Sequence, residues 1–264
     1  MRHRLRAAVI LGAGLLGGCA ASHPALPSAP SALPSAAGLE AQLAARRDVV
    51  QSLRALVRLR YRAPDESGTS RQAIVVARPD RLRVEVLSLL GSVFVVTTDK
   101  GAITAYVRQE DTVYRGAASP ENLERYARVG LPVSDLIDIV LATPAPQPTD
   151  HEWVSFDAAV GAVRLVRTLV DRQQSVWFAP AGMPVAAEER GADGKLDWRA
   201  TFGGYEDHDG VPIATQVTIE LPRWSRSLEL ALAEVDVNPA LDNSIFAFQT
   251  PPGSKVVNLE SIAD

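Results

Sequence analysis

The chain has 264 residues, of which 47% are apolar, 22% charged and 6% aromatic, and its formal net charge is -4. That length supports one good-sized core or two small ones. A slightly acidic balance, with both signs interspersed, excludes the basic stripe of a nucleic-acid binder.

The first residues read as a targeting segment. Arg2, Arg4 and Arg6 form a positive start, and Leu5 to Leu16 supply an apolar stretch too short for a membrane span. It ends in Leu16-Gly17-Gly18-Cys19, which resembles the bacterial lipobox, and Cys19 is the sole cysteine. The expectation is a signal peptide over residues 1–18 and a lipid on Cys19; the alternative is an ordinary secretory signal that happens to contain a cysteine. Gly12-Ala13-Gly14-Leu15-Leu16-Gly17 formally matches a dinucleotide fingerprint, but no strand precedes it and the segment is cut away. Residues 19–37 continue as an Ala/Pro/Ser-rich stretch that cannot bury a core. As an extended tether it reaches roughly 50 Å at about 3.1 Å per residue. Residues 38–264 are then a single domain.

Leu39, Leu43, Val50 and Leu53 fall near helical spacing, which predicts a helix from 39 to about 54. Alternation follows. Val57, Leu59 and Tyr61 face away from Arg58, Arg60 and Arg62, and Leu82, Val84 and Val86 face away from Arg81, Arg83 and Glu85. Val84 to Val96 read as two strands meeting across Leu89-Leu90-Gly91-Ser92, an unusually greasy hairpin tip. Ser119-Pro120-Glu121 announces a helix by a capping hydroxyl, a first-turn proline and an acid at the positive dipole end. A further helix follows Gly130, with Val133, Leu136, Ile137, Val140 and Leu141 on one face, and Pro144 stops it. Late strands are clear: Leu196, Trp198, Ala200 and Phe202 alternate with charged or polar neighbours, as do Ile213, Thr215, Val217, Ile219 and Leu221. In residues 226–237 the apolar parity shifts between Leu232 and Val235, which predicts a bulge near Ala233-Glu234. Roughly ten strands and three helices result: an α+β, mainly β chain, with an antiparallel sheet covered on one side.

No pattern of catalytic or metal-ligating residues stands out. His151 and His208 are the histidines outside the leader and tether, and neither has a partner at metal spacing. Glu206-Asp207-His208-Asp209-Gly210 lacks the later ligands of a calcium loop and reads as a hairpin turn. No enzyme, metal or cofactor is expected, apart from the covalent lipid on Cys19.

Several strings resemble the LolB-type outer-membrane lipoprotein receptors, within the wider LolA/LolB and LppX-like group. These are Asp80-Arg81-Leu82-Arg83-Val84 leading to Leu90-Gly91-Ser92, then Gly130-Leu131-Pro132-Val133, then Asp197-Trp198-Arg199 running into Phe202-Gly203-Gly204-Tyr205. Residues 238–259 look more like the tails of LolA- and LppX-type proteins and could add strands or cap the cavity. The resemblance implies an incomplete antiparallel barrel, a half-barrel closed by helices around an apolar cavity for acyl chains. It implies lipoproteins or lipids as cargo, a LolA-like periplasmic carrier as donor, and a lipid-anchored place on the periplasmic face of the outer membrane. It also makes Leu90, with Leu89 beside it, the membrane-touching loop; the alternative is that both fold back as core. Cavity candidates on the alternating faces are Leu82, Val84, Trp198, Phe202, Ile213 and Val217, each of which could equally be ordinary core. A glycolipid carrier or sensor, and a solidly packed structural lipoprotein, are the competing functions.

Overall fold

The computed structural model describes residues 28–89, 91–145, 149 and 151–261. Cys19 and Leu90 lie outside them. Helix α1 (Ala36–Val49) opens at Ser35, whose hydroxyl accepts from the Gly38 N–H at 3.1 Å, and buries Leu39 and Leu43. It ends about five residues earlier than its apolar spacing predicts. The Asn238 carboxamide stops it by accepting from the N–H groups of Gln51 (2.9 Å) and Ser52 (3.1 Å) and donating to the Val49 carbonyl at 2.7 Å. From Ser52 onward strands on both sides take the backbone groups instead.

Six strands then run as an antiparallel meander: β1 (Ser52–Arg62), β2 (Ser67–Ala77), β3 (Arg81–Ser88), β4 (Gly91–Asp99), β5 (Ala102–Val107) and β6 (Thr112–Ala117). Helices α2 (Pro120–Ala127) and α3 (Val133–Val140) follow. A second meander comprises β7 (His151–Asp157), β8 (Ala162–Thr168), β9 (Arg172–Phe178), β10 (Pro184–Gly191), β11 (Leu196–His208), β12 (Val211–Leu221) and β13 (Arg226–Val237). It returns so that β13 pairs with β1, and the short β14 (Lys255–Asn258) adds to β6 in parallel. The spatial order is β14-β6-β5-β4-β3-β2-β1-β13-β12-β11-β10-β9-β8-β7. Its outermost strands do not pair with each other, so the sheet stays an open half-barrel.

The fourteen strands among the described residues exceed the roughly ten expected. The additional ones include β9, whose residues 174–178 are all buried and so show no alternation, and β14, which is only four residues long. The expected bulge is present: Leu56 faces Ala233 but Arg54 faces Asp236, with Glu234 at φ 51°. The sheet is not covered on one side only. Residues 238–250 run along its convex face, where Phe246 packs with Val75 and Ala77, Arg83 donates to the Ile245 carbonyl at 2.8 Å, and the rings of Phe248 and Tyr106 stack at 5.2 Å.

The main core lies on the concave face, under the three helices. Ser119 caps α2, accepting from the Asn122 N–H at 3.3 Å, and Pro120 occupies its first turn. Gly130 lets the Trp224 ring lie against the chain between α2 and α3, since a Cβ there would come within 2.5 Å of that ring. Turns gather at two edges of the sheet. One edge carries the β1–β2, β3–β4, β5–β6 and β12–β13 turns, and the other carries β2–β3, β4–β5 and β11–β12.

Candidate functional site: an apolar hollow with a charged rim

Between the concave face and the two central helices lies a hollow of about 560 Å³. This is within the size range of pockets for small amphiphiles. Its deep wall is aliphatic: Ile74 and Val76 of β2, Leu82 of β3, Val96 of β4, and Leu136 and Val140 of α3. These positions arise from strand parity, which sends every second side chain to the concave face, and from the apolar stripe of α3. Ser70 and Gln72 stand on the same face of β2, nearer the rim.

The rim is charged. Glu66 in the β1–β2 turn, Glu110 in the β5–β6 turn, and Arg125 and Arg128 at the end of α2 all border the opening. Arg128 has a left-handed backbone (φ 59°) that terminates α2, and its guanidinium sits 3.6 Å from the Glu66 carboxylate. Glu110 accepts from the Tyr114 hydroxyl at 2.5 Å, a bond that pushes the Tyr114 phenol up to about 12. The Tyr114 ring packs 5.1 Å from Tyr126, which lines the hollow.

The opposite end is locked by a buried ion cluster. Asp138 of α3 takes Arg47 at 2.5 Å and also Arg78, whose guanidinium reaches the Thr143 hydroxyl as well. Burial holds the Arg78 pKa below its ordinary value. The hollow therefore has a fixed floor and a polar mouth.

The sequence-derived residues divide as follows. Leu82 and Val84 line the hollow. Trp198, Phe202, Ile213 and Val217 are buried on the concave side but pack as solid core, away from it. Leu89 stands fully exposed at the β3–β4 tip, on the same edge as the mouth, rather than under a helix. Periodicity did not single out Ser70, Gln72, Arg125 or Arg128. Strand β2 offered little to read, because its residues 74–77 are buried on both faces. Among the described residues there is no group of acids, histidines or cysteines that could hold a metal ion, and no helix is long and apolar enough to cross a membrane.

No family model and no curated protein matches the sequence. Solved structures do match its shape. A LolA superfamily protein from Nitrosomonas europaea is 15% identical with a TM-score of 0.55, over 82% of this chain and 99% of that one. A DUF1329 family protein from Desulfovibrio piger is 14% identical with a TM-score of 0.55, over 80% and 96%. A putative outer membrane lipoprotein-sorting protein domain from Vibrio parahaemolyticus is 13% identical with a TM-score of 0.50, over 79% and 94%. The fold is thus the LolA-like half-barrel.

Proposed function

We propose that this protein takes acyl chains of lipoproteins into the hollow and hands them to a membrane, as a LolB-like receptor anchored through lipid on Cys19 to the periplasmic face of the outer membrane. The observation that carries the reading is the coincidence of the mouth with the exposed Leu89 tip on one edge of the sheet. A chain buried in the hollow gains about 0.8 kcal/mol per methylene, or roughly 13 kcal/mol for sixteen carbons. Cargo held that strongly needs a membrane brought to the opening before it leaves. One leucine contributes only about 2 kcal/mol, enough to orient the domain but not to hold it there. A LolA-like periplasmic carrier is the proposed donor. The unfilled hollow argues against the solidly packed structural alternative.

Mass spectrometry of what stays bound through gentle purification tests the cargo. A lipidated polypeptide is expected, whereas free lipid alone would favour the lipid-carrier reading. Leu89→Glu, alone and with Leu90→Glu, tests the tip. Loading should be unchanged, while transfer from loaded protein to vesicles should slow at least about tenfold if one leucine's membrane contact is lost. Unchanged transfer in the double variant would remove the tip from the mechanism.

A further inference from the structure

Resting on that reading of the hollow, a polar step on its wall suggests which chains it accepts. From rim to floor, the cavity face of β2 presents Ser70, Gln72, Ile74 and Val76. Gln72 lies between Val57 of β1 and Val86 of β3, and Ser70 lies beside Leu59, so the pair interrupts an apolar surface. The Gln72 amide donates to the Ser70 hydroxyl oxygen at 3.1 Å, and among the described residues this is the one hydrogen bond of either side chain. A glutamine amide has two N–H donors and a serine has one O–H. One amide N–H and the hydroxyl proton therefore remain to be given, on the wall of a greasy hollow. Partly removing such donors from water without an acceptor is costly, by about 1–3 kcal/mol for a fully buried group. A wall meant only for hydrocarbon would carry Val here, as its neighbours do.

The complementary group carries an acceptor for those two protons at the head of a hydrocarbon tail, and an amide-linked chain also has an N–H for the Gln72 amide oxygen. An ester or amide carbonyl of an acyl chain has that character; an alkyl ether chain lacks it. Volume sets the number. At about 30 Å³ for a water-sized group such as a methylene, 560 Å³ holds on the order of eighteen of them. That is room for one long chain.

We propose that the hollow selects a single acyl chain over an alkyl chain of equal length, tail toward Val76, with Gln72 and Ser70 donating to the carbonyl oxygen that joins the chain to its head. The Glu66–Arg128 and Glu110 rim then surrounds the head. The purified full chain is titrated calorimetrically with palmitoyl-lysophosphatidylcholine and, separately, with its hexadecyl-ether counterpart. These probes share head and chain length and differ in the carbonyl. One molecule per chain is expected, with the ester bound about fivefold tighter, the ratio one net hydrogen bond supplies. Gln72→Leu combined with Ser70→Ala should bind both equally, and Gln72→Leu alone should narrow the difference. Equal binding of the two by the unaltered protein, or two molecules per chain, overturns the inference while leaving the acyl-carrier reading in place. Binding of neither sinks both.

Discussion

Asp138 holds the closed end of the half-barrel, and removing it would show how firmly. Its carboxylate is the counter-charge to both Arg47 and Arg78, and Arg78 also donates to the Val50 carbonyl at 3.1 Å. Asp138→Ala would leave the Arg78 guanidinium buried and unpaired, since arginine does not shed its proton. The expected loss is about 3–5 kcal/mol, read as a lowered urea midpoint. Asp236→Ala removes the exposed partner of Arg54 at 2.6 Å and should cost under about 1 kcal/mol. Tyr205 makes a second residue-scale case. Its hydroxyl donates to the Pro184 carbonyl at 2.6 Å, and burial pushes its pKa up to about 12. An unfolded tyrosine titrates near 10. The folded pKa is the higher one, so the associated stability is complete below pH 10 and drains away as pH rises toward 12. Denaturation midpoints followed from pH 9 to 12 should fall more steeply for the unaltered protein than for Tyr205→Phe. At this scale the sequence told facing but not vacancy. Leu82 and Phe202 carry the same alternation signal, yet only Leu82 borders the hollow. A void is set by how far the helices stand off the sheet, which no single strand encodes. Gln72 was hidden for a related reason: a polar residue facing a hollow looks, in sequence, like one facing water.

Elements with local stop and start chemistry were the legible ones. Ser119-Pro120 starts α2, and Lys100 and Gly101, both at positive φ, close the β4–β5 hairpin after Asp99. The Asp209-Gly210 turn is likewise a hairpin, with both residues at positive φ. Residues 238–250 were not legible as a convex-face strap. Their anchor Phe246, like the later Leu259 that joins the concave core, has no periodic spacing, and each finds its partner on a distant strand. The link between α2 and α3 decides where the rim stands, and Gly130 controls that link. Gly130→Ala would place a methyl 2.5 Å from the Trp224 ring, so ring or backbone must move. Overpacking of this kind costs typically about 1–3 kcal/mol. The same shift would displace Arg128, two residues away, and with it the Glu66 contact. Thermal unfolding should show the stability loss. Trp224→Leu combined with Gly130→Ala should restore part of it, because the smaller side chain yields.

For the whole molecule, the position of the tether constrains the proposed transfer. Residues 28–34 lie against the β7–β8 and β9–β10 turns, beside Phe156, Val163 and Phe178, and bound a second hollow of about 700 Å³ there. Strand register places those turns on the floor edge, opposite the Leu89 tip. The eleven residues of β1 span about 36 Å between the two edges at ~3.3 Å each. Between Cys19 and Ser28 lie residues 20–27, which stretch to about 29 Å at most. With residues 28–34 in this position, the proposed lipid on Cys19 lies nearer the floor edge than the mouth. Freed from that position, residues 20–34 reach roughly 50 Å, enough to turn the mouth toward the anchoring membrane. Deleting residues 21–28 leaves the domain and its hollow intact and shortens the freed reach to about 25 Å, below the span of the sheet. Anchored on vesicles through Cys19, that variant should load cargo normally yet fail to release it into the vesicle that holds it. It should still release cargo into a second vesicle population, which can approach from the mouth side. Equal release into the anchoring vesicle by the shortened and full-length chains would mean that cargo leaves by another route than the Leu89 edge.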